Sequence, residues 1–247
     1  MSTFLTAEWR KLIMAQYEVA PKLLMPYLPR GVELDLYHAP GGDARCYVSL
    51  VGFLFDRVRV KGVAVPLHTR FEEINLRFYV RRREADGTVR RGVVFIREFV
   101  PRWAIALVAR RVYEEPYVAV RTDHTFGKKK DLVFARYAWQ RGGRVHSLAA
   151  VGYAPAQAIA PGSEEEFVTE HYWGYTKRRD GSTSVYQVEH PRWETYRLQS
   201  YEIAVDFGLL YGREFAFLND RWVSSVLMAE GSAVTVRAGM RVHPMDG

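Results

Sequence analysis

The chain has 247 residues, 48% of them hydrophobic, so it can bury a full core and has the length of one large β-sandwich or barrel domain, residues 1–247. It contains no run of about 18 uncharged apolar residues, which excludes a membrane-spanning helix. A signal peptide needs an apolar region near its start, but charged residues stand there: Glu8, Arg10 and Lys11. The single cysteine, Cys46, excludes an internal disulfide. These features predict a cytoplasmic protein without membrane association.

The formal net charge of +7 is the feature that favours an anionic partner such as nucleic acid. Most of the 35 basic residues are arginines, which suit phosphate recognition, but they are scattered among 28 acidic residues. The dense basic clusters, 81–83, 128–130 and 177–179, each lie beside a glycine or aspartate turn signal, without a zinc-finger, RNP or helix-turn-helix pattern. The sequence therefore predicts solvated loops there and disfavours nucleic acid. A non-enzymatic binding module for anionic partners remains the alternative function.

In the first half of the chain, turn signals separate runs that have the composition of β-strands. A short helical stripe at 20–28 is bounded by prolines, and Pro101 is placed to open a helix because proline is favoured in the first helical turn. Glycine-containing turns are predicted at 40–43 and, as a hairpin, at 85–87. The predicted strands are 7–19, 32–37, 45–60, 71–80 and 91–100.

The second half repeats this pattern of short strands with few helices. Ser163 followed by Glu166 is a capping-box pattern, which predicts a short helix at 163–170. A helical turn is predicted at 206–211, and the small residues of 154–161 predict a loop. The predicted strands are 117–124, 132–140, 145–153, 172–176, 185–190, 193–205, 222–228 and 233–241. Together these elements indicate a mainly β (α+β) fold, rich in antiparallel pairs, closed or sandwiched, with helices packed outside.

The strand at 71–80 has two faces of different character. Glu73, Asn75 and Arg77 fall on one face, and Ile74, Leu76, Phe78 and Val80 fall on the other. The apolar face belongs to a core. The polar face has two interpretations: it is exposed to water on a half-buried strand, or it lines an internal cavity.

The strand at 91–100 places one carboxylate among apolar residues. Strict alternation puts Glu98 on a face with Gly92, Val94, Ile96 and Val100, and Arg97 on the opposite face with Val93, Phe95 and Phe99. A carboxylate on an apolar face must find a partner or take up a proton, because a bare buried charge is too costly. Glu98 is therefore a candidate for a functional group.

Residues 170–193 combine two histidines, carboxylates and several phenols around a turn at 180–181. Such groups suit proton transfer or metal binding, but no HxH or HxxE spacing supports a metal site. Pairing of the two strands in this stretch also accounts for its aromatic residues as cross-strand packing. Tyr172, Tyr175 and His190 are the site candidates here.

Five segments of the sequence resemble the YqjF-like family of uncharacterised proteins, a domain of unknown function (DUF2071) in the acetoacetate-decarboxylase-like superfamily. The resemblance covers nearly the whole chain. It implies a cone-shaped, closed antiparallel β-barrel that has an internal polar cavity and a few peripheral helices, and it brings no established biochemical function. The segments are 4–19, 47–53, 71–80, 93–101 and 172–193.

A comparison with the acetoacetate decarboxylases bears on the chemistry. Those enzymes carry an Arg-Glu pair, then a proline, then two adjacent lysines, of which one forms a Schiff base. Here Arg97 and Glu98 match the pair and Pro101 matches the proline, but Arg102 and Trp103 follow. Arginine does not lose its proton near neutral pH and tryptophan has no amine. The resemblance therefore implies a protein that lacks the Schiff-base lysine.

The predicted partner is a small polar metabolite that carries a carboxylate, bound without a cofactor or a metal. Arg77 or Arg97 would hold the carboxylate in a bidentate fork, and Glu73 or Glu98 would act as general base. The other candidates for substrate binding are Asn75, Tyr172, Tyr175 and His190. The sequence leaves open whether a lyase-like reaction takes place, and whether the abundant aromatic residues serve a homo-oligomer.

Overall fold

The computed structural model describes residues 2–101 and 114–242. The described residues form sixteen strands, two α-helices and three short 3₁₀ helices. The strands are β1 (Thr3–Glu18), β2 (Glu33–Leu34), β3 (Tyr37–His38), β4 (Ala44–Arg45), β5 (Tyr47–Val60), β6 (Phe71–Arg83), β7 (Val89–Val100), β8 (Tyr117–Ala119), β9 (Thr122–Lys129), β10 (Leu132–Arg141), β11 (Arg144–Ala158), β12 (Trp173–Lys177), β13 (Thr183–Glu189), β14 (Glu194–Ala204), β15 (Ser225–Arg237) and β16 (Met240–Val242). The α-helices are α1 (Glu164–Thr169) and α2 (Phe207–Tyr211), and the 3₁₀ helices are Pro21–Leu23, Met25–Tyr27 and Arg213–Asn219. The helix predicted to begin at Pro101 lies outside the described residues.

Fourteen of the described strands belong to one sheet, and seven of them close into a ring. Neighbouring strands around the ring are β13, β12, β7, β6, β5, β1 and β15, and β15 pairs back onto β13 through Val188–Val236 and Glu189–Thr235. The predicted mainly β fold is confirmed. The sheet is rich in antiparallel pairs, as predicted, but it is mixed because β7 pairs in parallel with both β12 and β8.

The strands that follow β15 in the sheet form a second layer over the outer face of the ring. Strands β14, β11, β10 and β9 continue the sheet in that order. The apolar face of β6, with Ile74, Leu76 and Phe78 all fully buried, belongs to the same apolar cluster as Tyr137 and Leu148 of this layer. Burial of each large apolar side chain contributes about 1.5–3 kcal/mol. This packing holds the other face of β6 towards the inside of the ring.

A β-bulge in β7 changes the face on which its residues lie. Asn75 pairs with Glu98 and Arg77 pairs with Phe95, so the register passes over Ile96. Alternation is therefore interrupted, and Val93 and Phe95 line the same cavity as Glu98. The prediction that Glu98 shares a face with Val94 and Ile96 is wrong for this reason.

Most of the predicted strands are present, but several boundaries differ: the strand predicted at 32–37 is divided into β2 and β3, and the one predicted at 117–124 covers β8 and the start of β9. The two strands predicted at 222–228 and 233–241 are largely one continuous strand, β15. The loop predicted at 154–161 is wrong in its first part because β11 continues through Ala158. The capping box of α1 is confirmed: Ser163 Oγ accepts a hydrogen bond from the Glu166 amide, and a Glu166 oxygen accepts one from the Gly162 amide. Within the described ranges, no helix has the length and apolarity needed to cross a bilayer.

Candidate functional site

A cavity of about 400 Å³ lies inside the ring of strands. Its wall is mostly apolar and rich in aromatic rings, while buried carboxyl groups gather in one part of it. This combination of an apolar lining and a few convergent polar groups is typical of small-molecule sites. The aromatic residues of the wall include Trp9, Phe53, Phe55, Phe71, Phe95 and Trp193.

The polar face of β6 supplies the first group of polar residues in this cavity. Glu73, Asn75 and Arg77 all line it, and Glu73 is only 3% exposed. The Asn75 amide donates to Glu73 Oε1 at 3.0 Å, and the Tyr117 hydroxyl donates to Glu73 Oε2 at 2.9 Å. The polar face of β6 therefore lines an internal cavity, which is the second of its two interpretations. The Glu73 carboxyl group is held in place from both sides.

Glu98 and Glu115 bring two more buried carboxyl groups to the same cavity. Glu98 on β7 is 1% exposed, and Glu115, which lies just before β8, is 6% exposed. The parallel pairing of β7 with β8 sets Tyr117 beside Glu98, which brings Glu115 close as well. Within the described residues, neither oxygen of Glu98 accepts a hydrogen bond, and neither does Glu115 Oε1. Three carboxyl groups thus lie close together, and three of their oxygens have no hydrogen-bond partner among the described residues.

Burial raises the pKa of each of these three carboxyl groups. The pKa of Glu73 rises to about 7 because burial penalises its charge, although Asn75, Tyr117 and Arg77 counter part of the effect. The pKa of Glu115 also rises to about 7, from burial and from the charge of Glu73. Burial raises the pKa of Glu98 well above its ordinary range, and the charges of Glu115 and Glu73 raise it further. Near neutral pH the cluster therefore both holds and releases protons.

Arg77 places a guanidinium group in the cavity wall near these carboxyl groups. Its Nη2 donates to the Val168 carbonyl at 3.3 Å, and its guanidinium lies 5.9 Å from the centre of the Tyr79 ring. Its Nε is buried and has no hydrogen-bond partner in the described part of the chain. A planar guanidinium held by these contacts and with an unused N–H is suited to bind an oxyanion.

His171 adds a buried imidazole to the lining of the cavity. Its Nε2 lies 3.0 Å from Asp35 Oδ2, and the Arg91 Nε donates to the same oxygen at 2.7 Å. Burial lowers the pKa of His171 to about 4, so the ring is neutral at physiological pH. Because a carboxylate can only accept, Nε2 carries the proton and Nδ1 is an acceptor without a partner among the described residues. Asp35 therefore orients a neutral base.

Replacement of Asp35 by alanine should lower the free energy of unfolding by about 2 kcal/mol. The change leaves the buried His171 N–H and the Arg91 guanidinium without their shared acceptor, and the loss is smaller than for a fully buried pair because Arg91 is partly exposed. Urea unfolding at pH 7 measures the loss, with Asp43→Ala in an exposed turn as the matched control. Equal effects of the two substitutions would contradict the role of Asp35.

The structure separates the predicted site residues into two groups. Glu73, Asn75, Arg77, Glu98 and His190 line the cavity, whereas the other three candidates are not among its lining residues. The ring of His190 stacks on Trp193 at 4.3 Å between centroids, and burial lowers the pKa of this histidine. The residues outside the lining are Arg97, Tyr172 and Tyr175.

Each of these three residues has a contact elsewhere in the fold. Arg97 faces away from the cavity after the bulge in β7 and donates to the Leu210 carbonyl. Tyr172 donates to Glu170 at 2.5 Å. Tyr175 is fully buried in the outer apolar cluster. These contacts account for the three side chains as parts of the packing around the ring.

The sequence does not predict Glu115 or Tyr117 as members of this cluster. Both lie beyond the segment that follows Pro101, and only the parallel pairing of β8 with β7 brings them to Glu98. No periodic pattern indicates such a pairing. His171 and Tyr186 also line the cavity and lie in the stretch at 170–193. The composition of that stretch indicates a site, but it does not show which of its rings faces the cavity.

Comparison with known proteins gives a family and a fold. The profile of DUF2071, described as an uncharacterized conserved protein, matches residues 6–233. No curated protein matches the sequence. The match to the family profile covers most of the chain, including every described residue that lines the cavity except Phe4, Leu5 and Val236.

Several solved structures have the same fold at low sequence identity. An acetoacetate decarboxylase from Legionella pneumophila is 15% identical with a TM-score of 0.62, over 98% of this chain and 88% of that one. An acetoacetate decarboxylase-like enzyme from Sphingomonas wittichii RW1 is 11% identical with a TM-score of 0.63, over 98% and 94%. The enduracididine biosynthesis enzyme MppR, in complex with the condensation product of pyruvate and imidazole 4-carboxaldehyde, is 12% identical with a TM-score of 0.63, over 99% and 91%. At these identities the likeness establishes the fold alone.

Proposed function

The chain belongs to the DUF2071 family of uncharacterized conserved proteins, and we propose that it binds a small organic acid in the cavity of the ring and exchanges a proton with it through Glu73. The observation that carries this proposal is the position of Arg77 and Glu73 on one face of β6, inside a largely apolar cavity. The attraction between a guanidinium and a carboxylate is stronger against such an apolar wall than in bulk water.

Arg77 is the group that would hold the carboxylate of the ligand. Its position is fixed by the Val168 carbonyl and the Tyr79 ring, and no described residue pairs with its Nε. A fixed guanidinium loses little conformational entropy when it binds, and it presents two parallel N–H groups to a planar carboxylate. The apolar rings of the wall would enclose the rest of the ligand.

Glu73 is the group that would move the proton. A pKa of about 7 lets this carboxyl group act as a base or as an acid near neutral pH, which is the condition for efficient general acid–base catalysis. In the proposed step the ionised Glu73 takes a proton from the carbon next to the ligand's acid group, so that a C–H bond breaks, an O–H bond forms on Glu73, and the electron pair left on the ligand is stabilised by Arg77. The Asn75 amide and the Tyr117 hydroxyl hold the carboxylate in position for that step.

No lysine is among the described residues that line the cavity, which favours acid–base chemistry over a Schiff base. All seven lysines of the chain fall within 2–101 and 114–242, and none is among the residues that line the cavity. The structural neighbours support a small-molecule site: one is described as a decarboxylase of acetoacetate, and another holds a condensation product of pyruvate. Glu98, beside Glu73, would serve as a second proton carrier.

The Arg77→Ala variant should lose the stabilisation that small carboxylic acids give the wild-type protein. At a ligand concentration of about 100 times Kd, binding stabilises the folded state by about 2.7 kcal/mol, which raises Tm by roughly 5–10 °C for a chain of this size. Thermal shifts with pyruvate, acetoacetate and 3-phenylpropionate measure this effect. Removal of the guanidinium should weaken binding by at least about tenfold.

Arg81→Ala on the same strand is the matched control, because its guanidinium pairs with the exposed Glu33 at the surface. This variant should retain the full thermal shift. Stabilisation that is equal in the Arg77 variant, or that is absent in the wild type with every acid, would overturn the proposal.

A further inference from the structure

The carboxyl part of the cavity contains buried polar atoms that have no hydrogen-bond partner among the residues the structure describes. Both oxygens of Glu98, Glu115 Oε1 and Asn75 Oδ1 are buried and have no hydrogen-bond partner within the described residues. These residues are between 1% and 6% exposed, and all three line the cavity. A buried polar atom without a hydrogen-bond partner costs about 1–3 kcal/mol, so four of them in one space are costly unless a bound molecule pairs with them.

We infer that this part of the cavity binds a cationic nitrogen group of the ligand, such as an ammonium, so that a ligand held by Arg77 at its carboxylate belongs to the class of amino acids. The inference rests on the proposed function for the carboxylate, and it names the group at the other end of the same molecule. An ammonium offers three N–H donors and no acceptor, which matches a wall of carboxylates.

An organic cation fits this cluster better than a metal ion or a neutral hydroxyl group does. Within the described residues, no group of histidine, cysteine, aspartate and glutamate side chains is arranged to hold a metal ion. A neutral hydroxyl would supply one hydrogen and would leave in place the repulsion that opposes ionisation of Glu73, Glu98 and Glu115. A cation supplies several hydrogens and also removes that repulsion. The apolar rings of the wall favour a hydrocarbon body between the two charged ends.

Binding of a cation to this cluster must be coupled to proton release. In the free protein, burial and like charge raise the pKa values of Glu73 and Glu115 to about 7 and that of Glu98 well above its ordinary value. A positive charge beside them stabilises their ionised forms, so protons leave when the ligand enters. Affinity for an amine therefore rises as the pH increases through 7. Affinity for a simple carboxylic acid changes in the opposite direction, because ionisation of the cluster repels an anion.

Isothermal titration calorimetry with matched ligands tests the inference. The probes are L-phenylalanine, phenethylamine and 3-phenylpropionate, which share the phenyl group and carry both charges, the amine alone or the acid alone. A smaller set of norvaline, butylamine and pentanoate covers an aliphatic body. Each is titrated at pH 6.5 and pH 8, in two buffers of different ionisation enthalpy, so that released protons are counted.

The expected result is that the amino acid of a set binds at least tenfold more tightly than its simple acid, with release of protons and with higher affinity at pH 8. Glu98→Gln should reduce that preference for the amino acid by about tenfold or more, and it should reduce the number of protons released. This variant keeps the shape of the side chain and removes the charge that is hardest to bury, so it is expected to fold.

Other outcomes separate the two proposals. If the simple acid binds as tightly as the amino acid, and no protons are released, the inference is wrong and the proposed acid site stands. If the amine binds with proton release and the simple acid does not bind, the inference holds and the carboxylate role of Arg77 is wrong. Failure of all six probes to bind would overturn both.

Discussion

The Glu98→Gln variant is expected to be more stable than the wild type at pH 8, and this advantage should shrink as the pH falls to 5. Burial raises the pKa of Glu98 well above its ordinary value of 4.5, and the charges of Glu115 and Glu73 add to the shift. At pH 8 the unfolded chain gains free energy by ionising this residue, whereas burial opposes that ionisation in the folded protein. One pKa unit corresponds to about 1.4 kcal/mol, and the glutamine side chain has no such ionisation.

The direction of this effect follows from the sign of the shift. A carboxyl group whose pKa is raised on folding binds its proton more tightly in the folded state, so its contribution to stability is fully present below pH 4.5 and is lost as the pH rises. Glu73 and Glu115 act in the same direction between pH 4.5 and about 7. The advantage of the variant must therefore increase steadily from pH 5 to pH 8.

Urea unfolding of both proteins at pH 5, 6.5 and 8 measures this change. Glu33→Gln is the control, because Glu33 is exposed and pairs with Arg81 at the surface, where an ion pair contributes little. The control should differ little from the wild type at each pH. A Glu98→Gln variant that is equally stable or less stable at pH 8 would show that Glu98 has a charged partner in the folded protein.

The alternation along β6 illustrates what the sequence could predict. Ile74, Leu76 and Phe78 fall on one face by period alone, and that face is fully buried in the outer cluster. Glu73 and Arg77 necessarily fall on the other face. Whether that face meets water or a cavity depends on closure of the sheet by β13 and β15, which lie more than 100 residues away in the chain. Local periodicity carries no information about such a distant contact.

The bulge in β7 illustrates what the sequence could not predict. Residues 91–100 have no glycine or proline near Ile96 to indicate an interruption, and strict alternation puts Arg97 on one face with Val93 and Phe95. The insertion of one residue reverses this relation, because every side chain beyond a bulge changes sides. Arg97 is thus directed to Leu210 rather than to the cavity. The one extra residue at the bulge therefore decides that Arg97 does not line the cavity, whereas Arg77 of β6 does.

Gly231→Ala is expected to lower the free energy of unfolding by about 4 kcal/mol, the second large effect that the structure predicts. Gly231 lies within β15 at a φ of +84°, and a Cβ at this position would stand 2.0 Å from the Trp9 carbonyl oxygen and 2.6 Å from Leu12. A left-handed conformation costs an alanine about 1–2 kcal/mol. The clash is with main-chain atoms of the paired strand β1, which cannot move without disturbing the pairing that carries Trp9 into the cavity wall.

Gly143→Ala separates the two causes of this loss. Gly143 has a similar φ of +73°, and a Cβ there would meet no atom within 4 Å, so this variant should lose only about 1 kcal/mol. Urea unfolding at pH 6 gives both values, and a larger loss in the Gly231 variant isolates the cost of pushing β1 away from β15. Because Trp9 lines the cavity, the Gly231 variant should also bind 3-phenylpropionate more weakly than the Gly143 variant does. Equal stability of the two variants would mean that β1 and β15 do not approach each other as closely as this register requires.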